Sequence, residues 1–178
     1  MEYLKKYNIE FYDLEEGEHE FEFDIDDEFF NNIEYSEINK GRLKANILFK
    51  KTSLLMSFDI AIAGEVRVVC DRCTDEFDMP VEFNDSLIVK FGEENEDIDD
   101  NVIVVKNGAS DINIAHYLYE SINLSLPLKK VHPDDENGYS TCNQQMLDDI
   151  EDNSINSEER IDPRWDKLKE LIDNKNNN

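Results

Sequence analysis

Two long alternating stretches that meet at a cysteine turn constrain this chain more than any other feature. From Leu54 to Val69 the apolar residues Met56, Phe58, Ile60 and Ile62 fall on every second position, and beyond Cys70-Asp-Arg-Cys73 the alternation resumes through Phe77, Met79, Val81 and Phe83 to Leu87, Val89 and Phe91. A period of two marks a strand with one buried and one wet face, so the runs predict an antiparallel hairpin with both cysteines at its tip. Gly64 interrupts the first run and predicts a bulge or bend there.

The rest of the first half also reads as strands. Tyr7-Asn-Ile-Glu-Phe-Tyr and His19-Glu-Phe-Glu-Phe-Asp-Ile alternate, with Glu15-Glu-Gly-Glu as a turn between them, a short helical piece follows from Asp26 to Ile33, and Arg42 to Phe49 supplies a further strand. Glu93 to Asp100 is an acidic loop too charged to bury, and Val102 to Val105 is a short apolar strand. Ser110 or Asp111 then offers a cap for a helix over 111–126, where Ile112, Ala115, Tyr119, Ile122 and Leu126 recur at helical spacing until Pro127. Asp162-Pro163-Arg164-Trp165 opens a last short helix whose apolar stripe is Trp165, Leu168, Leu171 and Ile172. The expected architecture is α+β: a bent, partly barrel-like antiparallel sheet of about six strands, one packed helix and a short C-terminal helix. Residues 1–147 form one domain, 148–161 an acidic mobile linker, and 162–178 a docking helix and tail, with Trp165 a candidate contact to a partner.

The chain has three cysteines, and with one histidine they fall as Cys70-x2-Cys73, His132 after 58 intervening residues and Cys142 after nine more. Two thiolates from a turn, met by an imidazole and a third thiolate from a second loop, supply the three sulfurs and one nitrogen that Zn²⁺ takes in a closed structural site. Cys70, Cys73, His132 and Cys142 are therefore the candidate ligands of a structural Zn²⁺. Two alternatives stand beside it: a redox-active CxxC, and thiols that simply pack. A redox pair wants a helix N-terminus or a basic setting to lower a thiol pKa, and here only Arg72 offers either. An odd cysteine count argues against disulfides. His19 and His116 sit beside apolar stripes and are left as packing or surface residues.

The net charge of −25, from 43 acidic and 18 basic residues, repels polyanions at long range and so disfavours direct contact with RNA. One stretch runs the other way: Lys40, Arg42, Lys44, Lys50 and Lys51 lie within residues 40–58, where no acidic residue occurs. They are the candidate contacts to nucleic acid or a partner, although spacing by two also suits the solvent side of a strand. No Gly-rich phosphate loop, HExxH or nucleophile elbow is present, and the carboxylates are dispersed, so no enzyme is expected. The alternative is a CxxC-dependent redox or nucleic-acid-processing enzyme. With no run of about 18 apolar residues and no signal-peptide pattern, a cytoplasmic location is expected.

Gly64-Glu-Val-Arg-Val before the Cys-Asp-Arg-Cys turn, a Leu-Pro followed by His132 and a third cysteine, and the closing Asp-Pro-Arg-Trp-x-x-Leu together resemble the YceD family. The resemblance runs from the strands near residue 40 to the last helix and is strongest at Val66–Phe77, Leu124–Cys142 and Asp162–Leu171. It implies a role in ribosome biogenesis, since members are associated with accumulation of large-subunit (23S) ribosomal RNA in bacteria and plastids. The partner it implies is a large-subunit ribosomal protein or a pre-ribosomal particle, and the acidic body suits a basic protein.

Overall fold

The structure is a computed structural model that describes residues 2–53, 55–92, 96–99 and 101–154, with 96–99 described through the backbone. A 3₁₀ turn at Tyr3–Tyr7 leads into β1 (Asn8–Ile9), β2 (Gly17–Ile25), α1 (Asp27–Asn31), β3 (Gly41–Lys51), β4 (Met56–Val69) and β5 (Glu76–Gly92). After these come β6 (Glu96–Asp99), β7 (Val102–Lys106), β8 (Ile112–Asn113), α2 (Ala115–Ser125) and α3 (Gln144–Asn153). Six strands form one sheet in the order β2-β3-β4-β5-β7-β6, while β1 and β8 make a separate two-stranded ribbon.

The alternating pattern decides which face is dry. β3 buries Leu43, Ala45, Ile47 and Phe49, and β4 buries Met56, Phe58, Ile60, Ile62, Val66 and Val68, each on every second position. Phe49 and Phe58 are opposite one another in register and stack with ring centroids 4.7 Å apart. Each large side chain buried in this way contributes roughly 1.5–3 kcal/mol. Over the dry face lie Ile9 of the ribbon, Phe29 and Phe30 of α1, and Leu118 and Ile122 of α2, all fully buried. Asp26 caps α1 by accepting a hydrogen bond from the Phe29 N–H at 3.0 Å.

Several expectations need correcting. The sheet does not close towards a barrel: β2 and β6 remain at opposite edges. A layer of ribbon and helices already covers the apolar face, so burying it does not require closure. Nor is the sheet wholly antiparallel. β6 takes the edge and β7 returns between it and β5, which sets β7 parallel to β5. The helix expected over 111–126 starts at Ala115, because Ile112 and Asn113 pair with Ile9 and Asn8. Asn113, not Ser110 or Asp111, accepts from the Ala115 N–H at 3.0 Å. The stretch expected as a linker from 148 begins inside α3, and the remainder of 148–161 from 155 onwards, the final helix and Trp165 lie outside the described residues. Among the described residues no helix is long and apolar enough to cross a membrane.

Gly64 is not at a bulge, for the β3–β4 register runs unbroken through Leu43–Gly64 and on to Gly41–Val66. It is required by a close approach. With φ at +152°, a Cβ on Gly64 would sit 2.2 Å from the Arg42 carbonyl oxygen and 2.6 Å from the Leu43 Cα. Both obstacles are backbone, so relief would need β3 to move away from β4. Gly64→Ala should therefore lower the unfolding free energy by roughly 2–4 kcal/mol. Urea denaturation with an unchanged m-value checks this; a loss below about 0.5 kcal/mol would mean that the strands can part without cost.

Candidate metal centre

The β4–β5 hairpin delivers its turn as a compact hydrogen-bonded loop. The Cys70 N–H donates to the Asp75 carbonyl and the Thr74 N–H to the Cys70 carbonyl, both at 2.9 Å. Thr74 takes a left-handed conformation, φ +63°, to close the loop. Inside it the Arg72 N–H points at the Cys70 Sγ, 3.4 Å away.

A second segment is tied to this turn by polar contacts from both sides. The Asp71 N–H donates to the Lys130 carbonyl at 2.7 Å, and the Asp71 carboxylate accepts from the Lys130 N–H at 2.6 Å. Arg72 Nη1 donates to the Ser140 hydroxyl at 3.0 Å, which in turn accepts from the Cys142 N–H at 3.3 Å. Asn143 donates through Nδ2 to the Asp75 carboxylate at 3.0 Å, while its Oδ1 caps α3 at the Met146 N–H. These reciprocal contacts hold the 130–143 strip against the hairpin tip, so His132 and Cys142 reach the two tip cysteines.

The four expected ligands do come together: one donor atom from each of Cys70, Cys73, His132 and Cys142 lies within 4.8 Å of all the others. The Cys70 and Cys142 sulfurs are 3.8 Å apart, and the Cys73 sulfur is 3.5 Å from His132 Nδ1. A tetrahedral shell with Zn–S bonds of about 2.3 Å and Zn–N bonds of about 2.05 Å has S···S edges of about 3.8 Å and S···N edges of about 3.5 Å. The two distances match those edges. Cys70 and Cys73 are both 0% exposed and Cys142 is 7% exposed. The His132 ring stacks on Phe77 with centroids 4.4 Å apart, and Val131, Met146 and Leu147 complete a small apolar cluster.

The electrostatics favour at least one thiolate. Burial opposes the charge on Cys70, yet the N–H groups of Cys73, Arg72 and His132, with the His132 ring, bring its thiol down to about 5. Burial and the neighbouring Cys70 and Cys142 sulfurs push Cys73 the other way, against the N–H groups of Asn143 and Asp75. A divalent cation held by all four groups would take the place of the protons that otherwise separate these sulfurs.

The basic strand is placed differently from a free patch. Lys44 pairs with Glu22 and Asp24, and Lys50 with Asp59 at 2.8 Å and Glu18. Lys51 is half-buried and donates to the carbonyls of Phe11, Tyr12 and Leu14. Lys40 and Arg42 line a cavity of about 490 Å³ shared with Asp26, Asp27, Glu28, Glu65, Arg67 and Asp78. His19 Nε2 lies 2.9 Å from the Glu15 carbonyl oxygen, and His116 pairs with Glu120 on the outside of α2, so neither joins the cluster. What residue spacing did not reveal is the clamp: Asp71, Ser140 and Asn143. Only Asn143 carried a readable signal, an asparagine just before the amphipathic run of α3.

A family model described as "Large ribosomal RNA subunit accumulation protein YceD" matches residues 58–172, a span that takes in β4 from Phe58 onwards, β5, α2 and all four clustered ligands. No curated protein and no solved structure matches the chain.

The cysteine cluster is separate from the main core, so its failure should be local. Cys142→Ser is expected to expose residues 130–147 to limited proteolysis at least tenfold faster, while the far-UV signal of the sheet stays within error of the parent. Equal protection of the variant would show that the polar clamp alone holds the strip.

Proposed function

The chain belongs to the YceD family, and on that premise we propose that it is a non-enzymatic factor promoting accumulation or maturation of 23S ribosomal RNA. In this reading it holds a basic large-subunit protein or a precursor particle, and a Zn²⁺ clasped by Cys70, Cys73, His132 and Cys142 stiffens the body that does so. The family name ties the chain to the RNA of the large ribosomal subunit. The observation that carries the rest is the clustering of three sulfurs and one nitrogen within 4.8 Å of one another, a donor set that suits a closed tetrahedral shell. A Zn²⁺ held by all four would keep no position at which water could be activated, and its contribution would be to folding.

Charge supports a protein partner over bare RNA. Three of the five cations on residues 40–51 are already satisfied by carboxylates or carbonyls. Phosphate would have to displace them against a net charge of −25. A basic ribosomal protein meets the opposite situation: its own field is attracted, and an acidic body can cover it until assembly.

One observation favours the redox alternative, the lowered thiol of Cys70. Its burial points the other way. Exchange with another disulfide needs a sulfur that an incoming sulfur can reach in line, and both CxxC sulfurs belong to fully buried residues.

Metal content and cellular RNA together test the proposal. Protein purified without chelator should carry about one zinc per chain, falling below about 0.2 in Cys70→Ser/Cys73→Ser. Depleting the protein from cells should lower large-subunit rRNA relative to small-subunit rRNA, and affinity capture should recover large-subunit proteins or their RNA. Unchanged rRNA ratios on depletion would remove the biogenesis role. A dithiol activity lost on cysteine substitution with the fold and rRNA intact would install the redox one.

A further inference from the structure

The face of the large sheet opposite the core is neither flat nor neutral. Between β2 and β5 it is hollowed into a trough of about 890 Å³. Strand register sets the side chains of this hollow in two adjacent cross-strand rows, Glu20–Leu48–Asp59–Ser86 and Glu22–Asn46–Ala61–Asn84. Leu48 and Ala61 form the centre of the floor. Glu20, Glu22 and Asp59 stand around them, and no lysine or arginine lines the trough. The rows on either side are Glu18–Lys50–Ser57–Ile88 and Asp24–Lys44–Ala63–Glu82. The four rows together carry six carboxylates against two ammonium groups.

We propose that this trough is the docking site for an extended, Lys/Arg-rich segment of a protein partner. The inference rests on the function proposed above in taking that segment from a basic protein of the large subunit. Three features fit an occupant of this kind. The floor runs across four strands, from β2 to β5, an elongated track along which an extended chain can lie. An apolar floor ringed by carboxylates matches an arginine or lysine, whose aliphatic stem packs while its head stays polar. The carboxylates also have capacity to spare: Lys44 pairs with Glu22, Lys50 and the Ser86 hydroxyl each take one oxygen of Asp59, and Glu20 has no cation partner among the described residues. An ionised carboxylate accepts at about four lone-pair sites, so an incoming guanidinium can bind beside the lysine without displacing it.

The test uses the full-length protein and a synthetic peptide of alternating arginine and serine, read by calorimetry at low and physiological salt. The peptide should bind the parent protein in a salt-sensitive manner. Ala61→Trp, which fills the floor without changing charge, and Glu20→Lys, which reverses it, should each weaken binding at least about tenfold. Glu151→Gln/Asp152→Asn on α3, remote from the sheet face, should leave it unchanged. Loss of binding in that remote pair as large as in the trough variants would mean that overall charge, not the trough, attracts the peptide. Parent-like binding by Ala61→Trp and Glu20→Lys, no binding by the parent, or a single-stranded RNA that binds the trough in the peptide's place would each overturn the proposal. Failure of the broader role looks different: the peptide would still occupy the trough while captured material contained no large-subunit component. If trough variants recovered large-subunit material as well as the parent, the role would stand and the trough would fall.

Discussion

The register of the β4–β5 hairpin is the constraint from which the other features follow. Its unbroken ladder pairs Met56 with Val89 at one end and Val69 with Glu76 at the other. Strand side chains alternate with period two, so a slip of β4 by one residue against β5 would turn Phe58, Ile60 and Ile62 to water and bring Asp59 to the core face. The same ladder fixes how far the tip projects. Because the last pair is Val69–Glu76, the six residues between them have to turn back tightly, and Cys70 and Cys73 end on one side of that turn. The core and the cysteine cluster are thus two results of one pairing.

They are nevertheless separate energetically. The main core is a continuous apolar layer from Tyr7 to Ile122, whereas the cysteine cluster is bounded only by Phe77, Val131, Met146 and Leu147. A patch of that size cannot offset the entropy of ordering a strip that is otherwise charged and loop-like. Short polar contacts supply part of the difference, the reciprocal Asp71–Lys130 pair above all. A cation bound by the four ligands would supply the kind of local free energy that small apolar clusters lack, because ligation and ordering of the strip would be one event. Phe77 joins the two regions: it packs against the core as a strand residue and stacks on the His132 ring.

How legible each part was in the sequence depends on whether its cause is local. The hairpin and its dry face could be read because one-sided burial writes itself as alternation, and the ligand set because it uses every cysteine in the chain. The open sheet could not. Closure depends on whether β2 and β6 find each other, and neither strand's residues encode the other's position. The parallel β7 was invisible for a similar reason: Val-Ile-Val-Val-Lys reads alike in either direction. Ile112 and Asn113 looked helical by spacing and became strand through their pairing with residues over a hundred positions earlier. Gly64 was noticed but misread, since a close backbone approach and a bulge leave the same mark, a glycine in a strand.

The basic stretch illustrates how register converts a one-dimensional charge pattern into a different three-dimensional one. Along the chain, residues 40–51 look like an island of positive charge. Across the sheet, β2 lays Glu18, Glu22 and Asp24 alongside, and β4 adds Asp59, so Lys44 and Lys50 lie among carboxylates. These pairs are exposed, so they contribute little to folding. Their larger effect is on recognition. By neutralising the cations, they leave the excess negative charge of the wet face to be felt by whatever approaches it. A face built in this way draws basic partners more strongly at low ionic strength and loses that pull within a Debye length of about 8 Å at physiological salt. In the proposed docking, long-range attraction would bring a basic partner to the sheet, while the apolar floor at Leu48 and Ala61, which salt does not screen, would decide whether it stays.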